Sequence, residues 1–416
     1  MLLSIFIIGY IFIALEEFIK ISKSAIALVT GVACWTVLYI STSGHGLEHE
    51  LINHLGEISG ILFFLLGAMT IVELIDAHDG FDIIIKAFKT KSKKVLSFII
   101  LLLSFFLSAI LDNLTTTIVL ISIVAKIIKD PKEKILFASL IVIAANAGGV
   151  SSPIGDVTTT MLWMGNQITT AAIIEKTFLA SLVSVVIPFF ALSFQLKGNF
   201  DLHYDASTGQ KSNHSTLFFI SGISALLFVP IFKTLTGLPP FMGMLLAMGI
   251  VWLLSEFIDR RKDEDEKQHT SINHLLKKID TPSILFFLGI LLAVSALSTA
   301  GMLTNFSTML SSITGSIYNL TMLLGISSAI VDNVPLMAAA QNMYELTAYP
   351  TDHPFWLMLA YTTGTGGSLL IIGSAAGVAA MGLTKINFVW YLKNITLWAL
   401  LGYVSGWLLL SMTLSS

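Results

Sequence analysis

Two stretches hold the residues best able to do chemistry. "SAILDNLTT" starts at Ser108 and "SAIVDNVPL" at Ser328, and each sets an Asp-Asn pair between apolar runs. A charged carboxylate in hydrocarbon costs roughly 2.5–3.5 kcal/mol or more unless paired, so such a residue defaults to a functional reading. Around the first pair, Asp112, Asn113, Thr115 and Thr116 are rich in oxygen. The next polar cluster, "NAGGVSSPIGDVTTT", adds Asn146, Ser151, Ser152, Asp156 and Thr158. Its glycines allow close backbone approach, and Pro153 frees a carbonyl from helix bonding. Hard cations, the alkali ions among them, want oxygen ligands of this kind, and no soft ligand is near. The second pair, Asp332 and Asn333, is followed by Ser374 where the first copy has Asp156. An acidic couple, Asp112 and Asp156, therefore belongs to one copy alone. The alternative for Asp112 and Asp332 is N-capping of the helix that follows, although Ser or Asn could cap without a charge. For Asn113 and Asn333, capping and ligation both stay open. Glu73 is either a proton relay or an acid at the membrane interface, with Asp76, Asp79 and Asp82 close behind it. Glu256 and Glu345 read as interfacial.

The elements that must position these residues are membrane helices. Of 416 residues, 55% are hydrophobic and only 12% charged, with a mean hydropathy of +0.84. A soluble chain carries about 25% charge. Apolar stretches long enough to cross a hydrocarbon core of about 30 Å recur throughout. Runs such as "VLSFIILLLSFFLSAIL" lack the alternation of a barrel strand. The fold expected is an all-α polytopic membrane protein. The single cysteine, Cys34, excludes an intramolecular disulfide and reads as packing. Leu2 to Leu15 has no basic flank or cleavage site and reads as a retained helix rather than a signal peptide. No zinc finger, basic nucleic-acid stripe or phosphate-binding Gly-Lys loop is present. No cofactor and no nucleic-acid partner is implied.

Candidate spans run about 2–18, 24–41, 58–75, 173–196, 215–233, 238–257, 282–298 and 388–412. Between them, 95–164 and 317–383 are broken by polar, Gly and Pro clusters. If each forms a re-entrant hairpin followed by one broken crossing, every basic residue except Lys176 and Lys233 falls on one face. That face is cytoplasmic by the positive-inside rule, which puts the N-terminus inside and the C-terminus outside. Lys20, Lys23, the "KAFKTKSKK" run and the "DRRKDEDEKQ" loop all lie there. The segment "GHGLEHELINHLGE", with His45, His49 and His54, reads as a solvated extracytoplasmic loop, with pH sensing or metal binding as the alternative.

Internal repetition organises the chain. "ILFFLLGAMTIVELI" from Ile61 matches "ILFFLGILLAVSALS" from Ile284, the Asp-Asn stretches match, and "AGGVSSPIGDVTTTM" from Ala147 aligns with "TGGSLLIIGSAAGVA" from Thr365. The offsets are 223, 220 and 218 residues. In the topology above the copies enter the membrane from opposite sides, as two inverted-topology repeats. The division expected is 1–57, N-terminal scaffold helices; 58–196, the first repeat, with a hairpin at about 95–128 and a broken helix at about 134–164; 197–281, linking helices and cytoplasmic loops; and 282–416, the second repeat, with a hairpin at about 317–345, a broken helix at about 354–383 and a C-terminal helix.

"GEISGILFFLLGAMTIVELIDAHDGF", "SAILDNLTTTIV", "NAGGVSSPIGDVTTTMLW" and "SSAIVDNVPLMAA" together resemble the NhaD-type sodium/proton antiporters, in a superfamily that also holds the divalent-anion/sodium symporters. The match covers about residues 45–385. The resemblance implies exchange of Na⁺, often also Li⁺, for H⁺ in sodium and pH homeostasis, with no catalytic residue. It also implies a homodimer whose transport domain moves as an elevator, in a bacterial inner membrane. The symporters carry Ser-Asn-Thr at the hairpin tips, whereas Asp112 and Asp332 stand first here. A carboxylate can hold either H⁺ or Na⁺; a serine cannot. Asp112 and Asp156 are thus expected to bind Na⁺ with Asn113 and Thr oxygens, and Asp332 with Asn333 to form a second ligand set or to stabilise the opposite hairpin. A sodium-coupled carrier of a dicarboxylate-like anion is the nearest rival. It should need a basic side chain or a neutral tip, and no Lys or Arg lies near either tip in sequence. An intramembrane aspartyl protease using Asp112 and Asp156 is a remote one; it leaves the second copy unexplained, and the tips lack a Gly-x-Gly-Asp context.

Overall fold

The computed structural model describes residues 1–42, 46–87, 90, 92–196, 198–199, 214–260 and 270–415. Among these residues the chain is all helix, and nine helices are long and apolar enough to cross a membrane. In chain order they are α1 (Leu2–Ala14), α2 (Glu16–Ile19), α3 (Lys23–Ser41), α4 (Leu47–Ala77), α5 (Asp82–Ala87), α6 (Lys93–Leu111), α7 (Asn113–Ile127), α8 (Pro131–Val150), α9 (Val157–Met164), α10 (Thr170–Ser193), α11 (Ser215–Thr236) and α12 (Pro240–Asp259). Then come α13 (Ile272–Leu275), α14 (Thr281–Thr299), α15 (Met302–Thr314), α16 (Ile317–Ser327), α17 (Asn333–Met343), α18 (Pro354–Gly366), α19 (Ala375–Thr384), α20 (Phe388–Asn394) and α21 (Thr396–Ser415). This is an integral membrane protein. Its outer helices expose large side chains such as Ile231, Leu253 and Phe257, which suits a lipid surface.

Two helices form the centre. Every residue of α8 from Leu136 to Val150 is buried, and so is every residue of α18 from Phe355 to Gly366. A helix apolar on all sides belongs inside other helices. Asp130 starts α8 by accepting from the Lys132 and Glu133 N–H groups, with Pro131 in the first turn where its missing N–H costs nothing. α6 and α7 both pack on α8, and α16 packs on α18. Close approach explains the small residues at both crossings. A Cβ on Gly148 would lie 2.0 Å from the Phe105 carbonyl oxygen, and one on Gly366 would lie 2.1 Å from that of Gly325. Ser108 Oγ donates to the Ala145 carbonyl at 2.6 Å and Ser328 Oγ to the Thr363 carbonyl at 2.7 Å. Equivalent residues of the two copies thus make equivalent contacts. Around this centre, α3 packs along α14 and α4 along α12, with Cys34 buried.

Several expectations need correction. The segment expected as a loop at 44–57 is, from Leu47, the start of a 31-residue helix running straight into the Ile61 span. Its polar His and Glu residues hide helical continuity from a hydropathy reading. His54 bonds Thr299 Oγ1 at 3.2 Å and lies 3.7 Å from Glu57; His45 lies outside the described residues. The first span ends at Ala14, and the C-terminal span is divided at Ile395. α6 is itself long enough to span, where only a hairpin arm was expected. α15 escaped notice because its Ser and Thr residues dilute an amphipathic pattern; it is bent by 115° against α16. Lys89, Lys91, Lys197, Lys211 and most of the "DRRKDEDEKQ" loop lie outside the described residues.

Candidate ion-binding site

Three helix starts, those of α7, α9 and α19, lie beside α8, and a fourth, that of α17, reaches them through α9 and Asp156. Asp112 caps α7, Asp156 caps α9, Asp332 caps α17 and Ser374 caps α19. Each is the residue after a break in an apolar helix, where unpaired N–H groups need an acceptor. The capping alternative is therefore geometrically correct for all four. It does not exhaust the carboxylates, because an ionised carboxylate has lone pairs beyond those its cap uses, and the carbonyls at the end of the preceding half-helix favour a cation.

Asp156 is the hub. Its Oδ1 accepts from the Thr158 backbone N–H and hydroxyl, both at 2.8 Å. Its Oδ2 accepts from Asn113 Nδ2 at 2.6 Å and from Asn333 Nδ2 at 3.5 Å, so both tips reach one carboxylate. Asn113 Nδ2 also donates to Asn146 Oδ1 at 2.9 Å. Asn146 in turn donates to Ser368 Oγ at 2.8 Å and Ser374 Oγ at 2.9 Å. One buried network joins Asn113, Asn146, Asp156, Asn333, Ser368 and Ser374.

Asp112 stands beside this network. Its backbone has φ of 87°, a left-handed conformation that costs a non-glycine residue about 1–3 kcal/mol. Its Oδ1 accepts from the Thr115 N–H at 2.8 Å and its Oδ2 from the Thr115 hydroxyl at 2.9 Å. No basic side chain ion-pairs with it among the described residues. Thr116 and Thr117 follow Asn113 by three and four positions, on the same helix face. Their hydroxyls are buried and find no partner among the described residues. Thr116 therefore has a buried hydroxyl with bonding capacity unused.

Ser151 and Ser152 are not aimed at the network. Ser151 Oγ donates to the Gly148 carbonyl, and Ser152 Oγ donates to the Ala109 carbonyl at 2.5 Å, tying the α8–α9 break to the first tip. Glu73 is half-buried on the wall of a cavity of about 340 Å³, which Asp76, Asp82, Lys126, Lys278 and Thr115 also line. The cavity therefore reaches the residue that holds Asp112. Glu256 and Glu345 are exposed, the former accepting from Trp252 and the latter from Thr347.

Two participants escaped the sequence reading. Ser368 sits in the apolar run after Gly367, where a lone polar residue between two glycine-bearing breaks was the available signal. The other is Lys23. No basic residue was expected at either tip, yet Lys23 Nζ lies 3.6 Å from Asp332 Oδ2. Sequence distance concealed it, since α3 and the second tip come together only in the folded chain.

A sequence model of the family described as "Citrate transporter" matches residues 10–364. Two Arabidopsis thaliana proteins, sodium/proton antiporter 2 and sodium/proton antiporter 1, are each 43% identical over 97% of this chain, covering 96% and 70% of their own lengths. The Na(+)/H(+) antiporter NhaD of Vibrio cholerae is 32% identical over 97% of this chain and 89% of its own. The class so defined is that of membrane transporters, not enzymes. The chain belongs to the citrate-transporter family, among relatives of the NhaD antiporter type.

Proposed function

We propose that this protein exchanges Na⁺, with Li⁺ as an alternative cargo, for H⁺ by alternating access. The observation that carries the reading is the Asp156 carboxylate, held at once by Asn113 of the first tip and Asn333 of the second. Na⁺ would be bound by Asp112 and Asp156 with Asn113, Thr115, Thr116 and Thr158 oxygens, and a proton on either carboxylate would discharge it. Ions that exclude one another from a single site are exchanged without any separate coupling device. The cavity ending at Thr115 supports access from the face that carries Lys126 and Lys278. Glu73 on its wall is the proposed proton relay. Asn146 and Ser374 would hold the amides in place, while Ser151 and Ser152 fix the break.

The repeat contacts at Gly148 and Gly366, together with the one-sided lysines, support two inverted repeats with re-entrant hairpins, and cytoplasmic N- and extracytoplasmic C-termini. Elevator movement of the α6–α10 and α16–α19 body against α3, α4 and α14, a homodimer, and residence in a bacterial inner membrane follow from the family resemblance and belong to the same proposal.

The test is proteoliposomes with a pH gradient, read with a pH-sensitive dye on addition of Na⁺ or Li⁺. Wild type should collapse the gradient, and Asp112→Asn and Asp156→Asn should not. Full exchange in both variants removes the site assignment. The family's description favours one further reading, sodium-coupled uptake of an organic anion. Sodium-dependent accumulation of labelled citrate without proton exchange would establish that reading instead.

A further inference from the structure

Lys23 is badly placed by local rules. It is the first residue of α3, where the positive end of the helix dipole disfavours a cation. It is also only 20% exposed, and its partner Asp332 only 14%. A local preference broken inside a membrane protein needs a compensating contact. Among the described residues the Lys23 Nζ has two, Asp332 Oδ2 at 3.6 Å and the Phe286 ring of α14, whose centroid lies 4.5 Å away, while Glu16 Oε1 accepts from the Lys23 backbone N–H at 2.9 Å. The other Asp332 oxygen accepts from the Val334 N–H at 3.4 Å, so the carboxylate is divided between a helix start and an ammonium. Tyr10 of α1 lies against Asp332 as well. Among the described residues Asp112 of the first tip has no ion pair, and both its oxygens accept from Thr115.

We propose that Lys23 is a tethered counter-cation that withdraws Asp332 from ion exchange and leaves Asp112 and Asp156 as the two carboxylates open to mobile ions. A desolvated charge pair tolerates joint removal far better than the loss of one partner, which leaves the other charge buried alone. Lys23 also pins the residue next to Asn333, and so holds the second tip's amide within reach of Asp156. It is a positioning residue that sets the charge count of the site. The covering ammonium also means that the tip has no free cation to offer an anionic substrate.

The inference rests on the exchange reading for its transport readout, so a binding readout accompanies it. Purified full-length protein is equilibrated with ²²Na⁺, and the same variants are reconstituted to find the reversal potential that gives the H⁺/Na⁺ ratio. Asp332→Asn, which strands the ammonium beside the site, should weaken Na⁺ binding about tenfold or more. Lys23→Gln/Asp332→Asn should return to within about threefold of wild type and keep its ratio. Lys23→Gln alone frees a third carboxylate and should change the ratio, while Lys23→Arg should preserve it. A double variant no better than Asp332→Asn, or an unchanged ratio in Lys23→Gln, overturns the proposal. If single variants fail to fold, Lys23→Cys with Asp332→Cys in a Cys34→Ala chain, bridged by a bifunctional thiol reagent that spans the length of a lysine side chain, tests the contact directly. The ion pair is made at the end of that side chain, so a direct disulfide is too short. No cross-link in the absence of Na⁺ overturns the proposal. Normal Na⁺ binding without proton exchange in wild type would sink the exchange reading while the binding series still judges the pair.

Discussion

The first and second tips share the sequence Ser-Ala-Ile-x-Asp-Asn but differ in how each holds its carboxylate. In the first, α6 and α7 meet at a single residue, and Asp112 carries the sharp reversal in a left-handed conformation. In the second, five residues, Ser328 to Asp332, make the same reversal, and Asp332 has an ordinary backbone with φ of −45°. The first carboxylate is strained and bonded only to its own helix; the second is relaxed and bonded to a cation from elsewhere in the fold. Near-identical sequence therefore yields one tip whose carboxylate bonds only its own helix and one whose carboxylate is paired with a lysine. The asymmetry extends to the broken helices, where Asp156 faces Ser374 across Asn146.

That contrast can be broken most severely at Asp156. Replacing it with Asn removes the negative charge that faces both tips and should reduce exchange by about 100-fold or more, equivalent to roughly 3 kcal/mol at 1.4 kcal/mol per decade. Gradient collapse in proteoliposomes measures it. Asp112→Asn should match that loss, whereas Asp332→Asn should lose about tenfold and recover when Lys23 is also neutralised. Equal, unrescued losses at both tips would restore symmetry. Next come the amides. Asn113→Ala should raise the KM for Na⁺ by about tenfold and Asn333→Ala by about threefold, because the first bond to Asp156 is 2.6 Å long and the second 3.5 Å. Proton competition sets a pH dependence with a definite sign. As pH falls, Asp112 and Asp156 fill with protons, so the KM for Na⁺ should rise toward acid, and Na⁺ titrations at several pH values check it. The smallest functional effect belongs to Thr116→Val. A hydroxyl without a protein partner can be removed with little change in thermal stability, yet it should raise the KM for Na⁺ about two- to threefold if that oxygen meets the ion.

Much of this site could be read before folding, and the reasons are physical. Asp112, Asn113, Asp156 and Asn333 announce themselves because polar groups in apolar helices are expensive and therefore rare. Gly148 and Gly366 stand at the same position in the two copies for the same steric reason. Lys23 gave no signal, because its partner is supplied by tertiary structure alone. Ser151 and Ser152 were expected as ligands, and in the folded chain their hydroxyls donate to neighbouring carbonyls, as a serine in a helix break readily does. The His- and Glu-rich start of α4 read as loop because hydropathy records solubility, not helix continuity, and the amphipathic α15 was lost for the same reason.

Asn146 spends its oxygen on the first copy and its amide hydrogens on the second. A chain carrying one copy alone would bury that amide half satisfied, a penalty of about 1–3 kcal/mol. The two copies are thus clamped together through one side chain, and shifting one past the other would break a bond at Asn146.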